Sequence, residues 1–385
     1  MYSWEGGIDM LRTFWQLIVF GGLALVLLLL APCMAATAYA QSQALSETAS
    51  RISTFASGLD NPRGLAFGPD GNLYVAEAGE GGTNSANGKC TQVPAPVGPY
   101  TGGMTSRISK ISPSGARSTV IDKLPSAKSN PKTGGEILGV SAVAFVGDTL
   151  YALLSGGGCS HGSPQETNGV FRVNGQQHTW QQIADLSHFI QTHLVKKPSA
   201  DDFEPDGTWY SMIQENGRLY AVEPNHGELD RIETNGTISR IADISASQGH
   251  SVPTAVAFHN GDFYVGNLGL FPIQQGSAKI LKITPSGQVS DETNGLTTVL
   301  GLSFDCKGQM YALENTVGKS MPAPGAGRIV RIASGGKLDT VASGLNFPTA
   351  MTFGPDGNLY VSNFGFGAGP GKGQIERIDA GIKCS

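Results

Sequence analysis

The stretch Asn61-Pro-Arg-Gly-Leu-Ala-Phe-Gly-Pro-Asp-Gly-Asn-Leu-Tyr-Val75 returns near the end of the chain as Asn346-Phe-Pro-Thr-Ala-Met-Thr-Phe-Gly-Pro-Asp-Gly-Asn-Leu-Tyr-Val361. Both copies read as strand, tight turn, strand. Asp-Gly and Asn supply the positive-φ positions of a hairpin turn, which a β-branched residue resists. Such a unit cannot bury its apolar faces alone, so copies of it must stack.

Degenerate copies fill the interval. Second strands read Leu73-Tyr-Val, Leu150-Tyr-Ala, Leu219-Tyr-Ala, Phe263-Tyr-Val, Met310-Tyr-Ala and Leu359-Tyr-Val. Third strands read Ile108-Ser-Lys-Ile, Val170-Phe-Arg-Val, Leu229-Asp-Arg-Ile, Ile280-Leu-Lys-Ile, Ile329-Val-Arg-Ile and Ile375-Glu-Arg-Ile. A turn and a fourth strand follow, as in Leu338-Asp-Thr-Val341. Six four-stranded units repeated radially predict an all-β, six-bladed β-propeller, within the usual range of about 4–8 blades. The sixth unit stops after its third strand. Its missing fourth strand is matched at the other end, where Arg51-Ile-Ser-Thr-Phe-Ala-Ser-Gly-Leu59 resembles Lys337-Leu-Asp-Thr-Val-Ala-Ser-Gly-Leu345. The N-terminal strand is therefore expected to complete the last blade and close the ring, which protects sheet edges. An open solenoid has no use for that match.

The 53 glycines and 21 prolines suit a turn-rich β fold, and 40% hydrophobic residues argue against simple disorder. A net charge of −5 with 15% charged residues argues against a nucleic-acid surface. Residues 1–40 read as a signal peptide: an apolar run from Leu17 to Ala31, then Ala38-Tyr-Ala40. The mature domain is then 41–385, and the expected location is secreted or periplasmic. An uncleaved anchor helix is the alternative, and the only route to a membrane.

In an antiparallel blade, turns 1–2 and 3–4 share one face of the disc. Loops 2–3 and the blade crossovers share the other. Here the first face has only tight turns. Length variation falls on the second, in loops 78–104, 155–168, 314–326 and 363–372 and crossovers 123–139 and 186–207. Binding residues tend to sit on loops held by a rigid scaffold, so this long-loop face is the expected functional one. The topology also sorts the cysteines left after the signal. Cys90 and Cys159 fall in 2–3 loops of adjacent blades, and Cys306 and Cys384 on the opposite face, which predicts disulfides 90–159 and 306–384. Zinc lacks any Cys-x-x-Cys spacing. The Lys or Arg of every third strand (110, 172, 231, 282, 331, 377) is expected to pair with neighbouring blades or meet solvent.

Polar residues cluster where second strands reach the long-loop face: Glu77, Glu223, Asn267, Glu314, Asn315 and Asn363. Glu77, Glu223, Asn267 and Asn315 are candidate ligands for Ca²⁺, which takes about 6–8 oxygens. The competing role is hydrogen bonding to loop backbone. Asn61, Asp206 and Asn346 are weaker candidates on the same face. His226 and His250 are candidate general bases. No phosphate loop occurs, and the Gly-x-Ser-x-Gly match Gly158-Cys-Ser-His-Gly162 lies in a 2–3 loop and not at the strand-to-helix turn that a nucleophile elbow needs.

Asn61-Pro-Arg-Gly-Leu-Ala-Phe, Gly68-Pro-Asp-Gly-Asn-Leu-Tyr-Val-Ala-Glu77 and the Gly-rich loop reaching Cys90 resemble the ScyD/ScyE family, named from gene clusters for the pigment scytonemin. The resemblance covers roughly 51–379; the later blades read as generic NHL-type or gluconolactonase-like propeller. It implies an exported six-bladed propeller and carries over no catalytic residue. The expectation is a binding or scaffold module, meeting a small molecule or protein at the long-loop face. A calcium-dependent hydrolase of lactonase or gluconolactonase type is the alternative. A quinoprotein dehydrogenase lacks basic cofactor contacts.

Overall fold

A computed structural model describes residues 51–133, 135–200 and 203–383. The expected signal peptide and Cys384 lie outside the described residues. The propeller is the unit Ile52–Ser385. Among the described residues no helix is long and apolar enough to cross a membrane.

Six antiparallel sheets form the blades. Their first strands are Pro62–Phe67, Val140–Val146, Ser211–Glu215, Pro253–His259, Val299–Phe304 and Ala350–Phe353. Each touches the first strands of the blades before and after it, and the last touches the first, so the ring is closed. The closing strand is the N-terminal one. Ile52–Leu59 pairs antiparallel with Gly373–Ile378, with Ile52 opposite Ile378 and Leu59 opposite Gly373.

The strand sequences rarely alternate apolar and polar because both sheet faces are buried. Leu73 and Val75 pack towards blade 6, with Leu59 and Tyr360. Ala76 and Tyr74 pack towards blade 2, with Val143 and Leu150. The same partition repeats, so six core clusters lie one at each blade interface, and a small seventh of Val93, Tyr100, Ala127 and Leu138 lies under the blade 1 loop. Burying a side chain such as Leu59 contributes about 1.5–3 kcal/mol, and each interface holds several.

The tight-turn face explains the repeated Pro-Asp-Gly-Asn-Leu-Tyr. Asp70 Oδ2 accepts from Asn72 Nδ2 at 2.7 Å and Tyr74 Oη at 3.0 Å. Asp356 accepts from Asn358 and Tyr360 at 2.8 and 3.0 Å, and Arg377 joins it at 2.8 Å. Partial burial pushes the Tyr74 phenol up to about 12, helped by the Asp70 carboxylate. Of the two expected outcomes for the third-strand bases, the structure shows contact with solvent and not pairing with neighbouring blades. They pair inside their own blade, as Lys282 does with Asp262 at 2.9 Å and Arg331 with Asp339 at 3.0 Å.

Three departures lie on the other face. Blade 1 carries a fifth strand, Ile137–Leu138, because its fourth strand, Arg117–Lys128, runs on into the expected crossover. Its third strand begins at Thr101, inside the expected loop. The crossovers leaving blades 2 and 3 hold short helices, Leu186–Thr192 and Ile244–Gln248. Asp185 and Asp243 cap them, accepting from the His188 and Ala246 amides.

Candidate functional site

The long-loop face is bound together across blades 1 to 3. The Cys90–Cys159 disulfide joins the 2–3 loops of blades 1 and 2. Cys306 is also disulfide-bonded, on the tight-turn face. Within blade 1, Asn84 and Gly102 exchange backbone hydrogen bonds of 2.9 and 2.8 Å. A Cβ at Gly102 would sit 2.6 Å from the His161 carbonyl, so only glycine lets these two loops meet. His161 is fully buried, edge-on to Tyr100 at 5.0 Å. Its Nε2 lies 3.2 Å from Glu204 Oε2, in the crossover to blade 3. Burial works against the imidazolium, but Glu204 outweighs it and holds His161 above its ordinary value. Beside it, Asp206 Oδ2 accepts from the Ser160 amide at 2.8 Å. Two loops and a crossover thus form one fixed surface.

A second pair of loops is joined between blades 4 and 5. The Ile273 amide donates to Ser320 O at 2.8 Å. Gln275 accepts from the Gly318 amide at 2.7 Å and donates to Lys319 O at 2.8 Å. This sector carries Leu270, Phe271 and Met321, which are 55%, 50% and 55% exposed.

The strand-end polar residues are buried, and their polar atoms are engaged within the scaffold. Glu77 accepts the Asp60 amide at 2.6 Å, and Arg117 bonds both of its oxygens at 2.7 and 3.0 Å. Glu223 accepts the Thr208 amide at 2.9 Å and the His226 amide at 2.6 Å. Asn267 donates to Ser251 O at 2.8 Å and accepts from the Lys279 amide at 2.7 Å. Asn315 donates to Pro348 O at 2.8 Å and accepts from Thr316 Oγ1 at 2.9 Å. Glu314 and Asn363 accept the Thr297 and Asn346 amides at 2.6 and 2.7 Å. The pattern is common: the residue ending the second strand clasps backbone just before a first strand. Asn61 and Asn346 do related work, towards Gly79 O at 2.8 Å and from the Gly325 amide at 2.9 Å. The four candidate calcium ligands come from four blades, each is engaged by scaffold hydrogen bonds, and Arg117 partly neutralises Glu77. Among the described residues no group of three or more His, Cys, Asp or Glu is arranged to hold a metal.

The axial mouth is crossed by side chains that the sequence did not single out. Tyr210 stands just before the first strand of blade 3. Its Oη donates to Thr349 O at the entry to blade 6, 3.2 Å away. The Arg63 guanidinium lies 5.8 Å over the Tyr210 ring, within cation–π range. Arg63 is 7% exposed and donates to Ile137 O at 2.5 Å. Burial pushes the Tyr210 phenol up, and Arg63 offsets part of that. A buried guanidinium is a poor neighbour for a second cation. Arg63 is visible in the repeat motif, but blade 6 has Thr349 in its place and so gave no pattern to read.

Blade 3 concentrates acid. His226 Nδ1 lies 3.1 Å from Glu223 Oε2. Burial opposes the His226 charge, yet Glu223 holds it above its ordinary value; Glu223 in turn stays below the carboxylate range despite burial. Asp230 accepts from Trp209 Nε1 at 3.3 Å, and Glu228 pairs with Arg240. Glu228 Oε1 and Asp230 Oδ1 are buried with no hydrogen-bond partner. Burial pushes Asp230 up to about 7, against the pull of Arg240. His250, the other candidate base, is half-buried beyond the helix Ile244–Gln248.

No family model matches the chain, and no curated protein matches it. Solved structures do. A protein of unknown function from Bacteroides thetaiotaomicron is 12% identical, with a TM-score of 0.54 over 85% of this chain and 75% of that one. A candidate glucose dehydrogenase-type oxidoreductase from Thermus thermophilus is 16% identical, with a TM-score of 0.53 over 85% and 99%. A candidate gluconolactonase is 12% identical, with a TM-score of 0.50 over 86% and 92%. At these identities the likeness is one of fold alone, that of the β-propeller.

Proposed function

We propose that the chain is an exported propeller of the ScyD/ScyE type that works as a binding or scaffold module through its long-loop face. The fixing of that face carries the reading. Loops of neighbouring blades are joined by a disulfide, backbone bridges and side-chain hydrogen bonds. A surface held this way meets a partner without the ordering cost of free loops. Exposed Leu270, Phe271 and Met321 supply apolar contact area of the kind partners cover. The disulfide favours an oxidising compartment outside the cytoplasm.

The test is quantitative capture by the immobilised full chain from extracytoplasmic extract of its source cells. Replacing Phe271 and Met321 by Asp should lower recovery of its binder by about tenfold or more, the effect of losing apolar anchors. Lys307→Glu, on the opposite face, should not change it. Equal recovery by both variants contradicts the proposal. The hydrolase alternative has one observation in its favour, the His226 imidazole standing on buried Glu223. Turnover of a lactone or ester that is lost in Glu223→Gln would replace the binding reading with it.

A further inference from the structure

Six blades provide six copies of one local design, so an exception among them is informative. Five third-strand bases have a carboxylate within reach: Lys110 with Asp70 (3.9 Å), Arg231 with Glu233 (3.3 Å), Lys282 with Asp262 (2.9 Å), Arg331 with Asp339 (3.0 Å) and Arg377 with Asp356 (2.8 Å). Arg172 of blade 2 has none within 4 Å among the described residues. Its Nη2 donates instead to the neutral amide of Gln181, at 2.7 Å. The rest of its guanidinium fork has no protein acceptor among the described residues.

Arg172 lines an open groove of about 870 Å³ between blades 1 and 2, on the tight-turn side. That volume lies within the range of small-molecule sites, about 300–1,000 Å³. The lining is unlike a lipid or drug pocket. Amides of Asn174, Gln176 and Gln177 and hydroxyls of Ser118, Thr149 and Thr179 each both donate and accept. Such walls match a ligand whose own groups both donate and accept, as alcohols do. Half-buried Trp180, edge-on to Phe171 at 4.6 Å, adds an apolar wall. Asp70 and Lys110, 3.9 Å apart, and Asp148 also line the groove, and the two acids would repel a polyanion. One guanidinium free of acid partners fits one carboxylate, by the paired geometry Arg offers planar oxyacids.

We propose that this groove binds a saccharide carrying a single carboxylate on the recognised sugar, a uronic-acid type ligand. The site lies on the opposite side of the disc from the long-loop face, so it stands or falls apart from the binding reading above. The probes are disaccharides of one neutral sugar and one galacturonate or glucuronate, and their methyl esters, titrated calorimetrically against the full chain. The acids should bind more tightly than the esters. Arg172→Gln should weaken the acids about tenfold or more while leaving the esters unchanged, the expected effect of losing a charged hydrogen bond. Gln181→Ala removes only the neutral partner, so the acid preference should survive it. Arg331→Gln, the same strand position in blade 5, should match the parent protein. Equal binding of acids and esters, or an equal loss in Arg331→Gln, overturns the proposal. So does a failure to bind any uronate-bearing glycan on an array.

Discussion

Tyr210, at the entry to blade 3, donates its hydroxyl to the carbonyl of Thr349, at the entry to blade 6, over 3.2 Å. Blades 3 and 6 stand opposite each other, so this bond spans the ring, and Arg63 of blade 1 lies over the aromatic ring. Tyr210→Phe should cost about 1 kcal/mol, the net worth of one hydrogen bond. Tyr210→Ala should cost more, about 2–3 kcal/mol, since it also removes a half-buried ring. Urea unfolding followed by tryptophan fluorescence measures both. Equal effects would mean the ring does not fill the mouth.

Ring closure rests on a strand from the other end of the chain. Leu59 is fully buried between blades 6 and 1, as Leu345 is between blades 5 and 6. Leu59→Ala and Leu345→Ala should therefore destabilise comparably, by about 2–5 kcal/mol each. A negligible effect at Leu59 in equilibrium unfolding would mean that the closing strand frays like an ordinary terminus.

Burial on both sheet faces made the fold legible. It forces apolar residues at successive strand positions, and the turns demand Gly, Asp and Asn, so the six units stand out even where degenerate. Strand matching at the two ends revealed the closure, and loop topology revealed Cys90–Cys159. The two crossover helices were harder to see because each is one or two turns long. Their signal was the shared Ile183-Ala-Asp185-Leu-Ser187 and Ile241-Ala-Asp243-Ile-Ser245, in which the Asp is the cap. The strand-end acids were placed correctly, but their partners are long-range. Nothing local to Glu77 says that Arg117, forty residues on, bonds its carboxylate. Tyr210 crosses the axis to a carbonyl, and a carbonyl leaves no mark in a sequence.

Blade 3 should make stability depend on pH near neutrality. Burial lifts Asp230 to about 7, against an unfolded value near the ordinary 3.8. Between those values the folded chain holds a proton the unfolded chain lacks. That contribution is full below the unfolded value and is lost as pH rises through about 7. His226, raised above 6.5 by Glu223, acts in the same direction. Glu223 acts oppositely, but only below the usual carboxylate range. Unfolding free energy should fall with rising pH between about 5 and about 8, with a limiting slope of about 1.4 kcal/mol per unit for each proton. Asp230→Asn should flatten the profile. A parent protein with a flat profile contradicts this.

The Cys90–Cys159 disulfide closes a loop with a sequence separation of 69. Cys159→Ser should destabilise by about 2–4 kcal/mol. Hydrogen exchange should also quicken in loop 78–100 and around His161, while the blade 4–5 loops stay as protected as before. Faster exchange everywhere would mean that the bridge supports the whole ring and not this sector.

The central claim is that the strand-end acids and amides hold the scaffold, leaving the long-loop face as a fixed binding surface and not a metal centre. A thermal melt of the full chain, non-reducing, in excess Ca²⁺ and then in EGTA, tests it most directly. A cation bound only by the folded state must raise the melting temperature by mass action. The two curves should coincide. A rise of several degrees at millimolar Ca²⁺, abolished by Glu223→Ala, would show that those oxygens are available to a metal and would contradict the account.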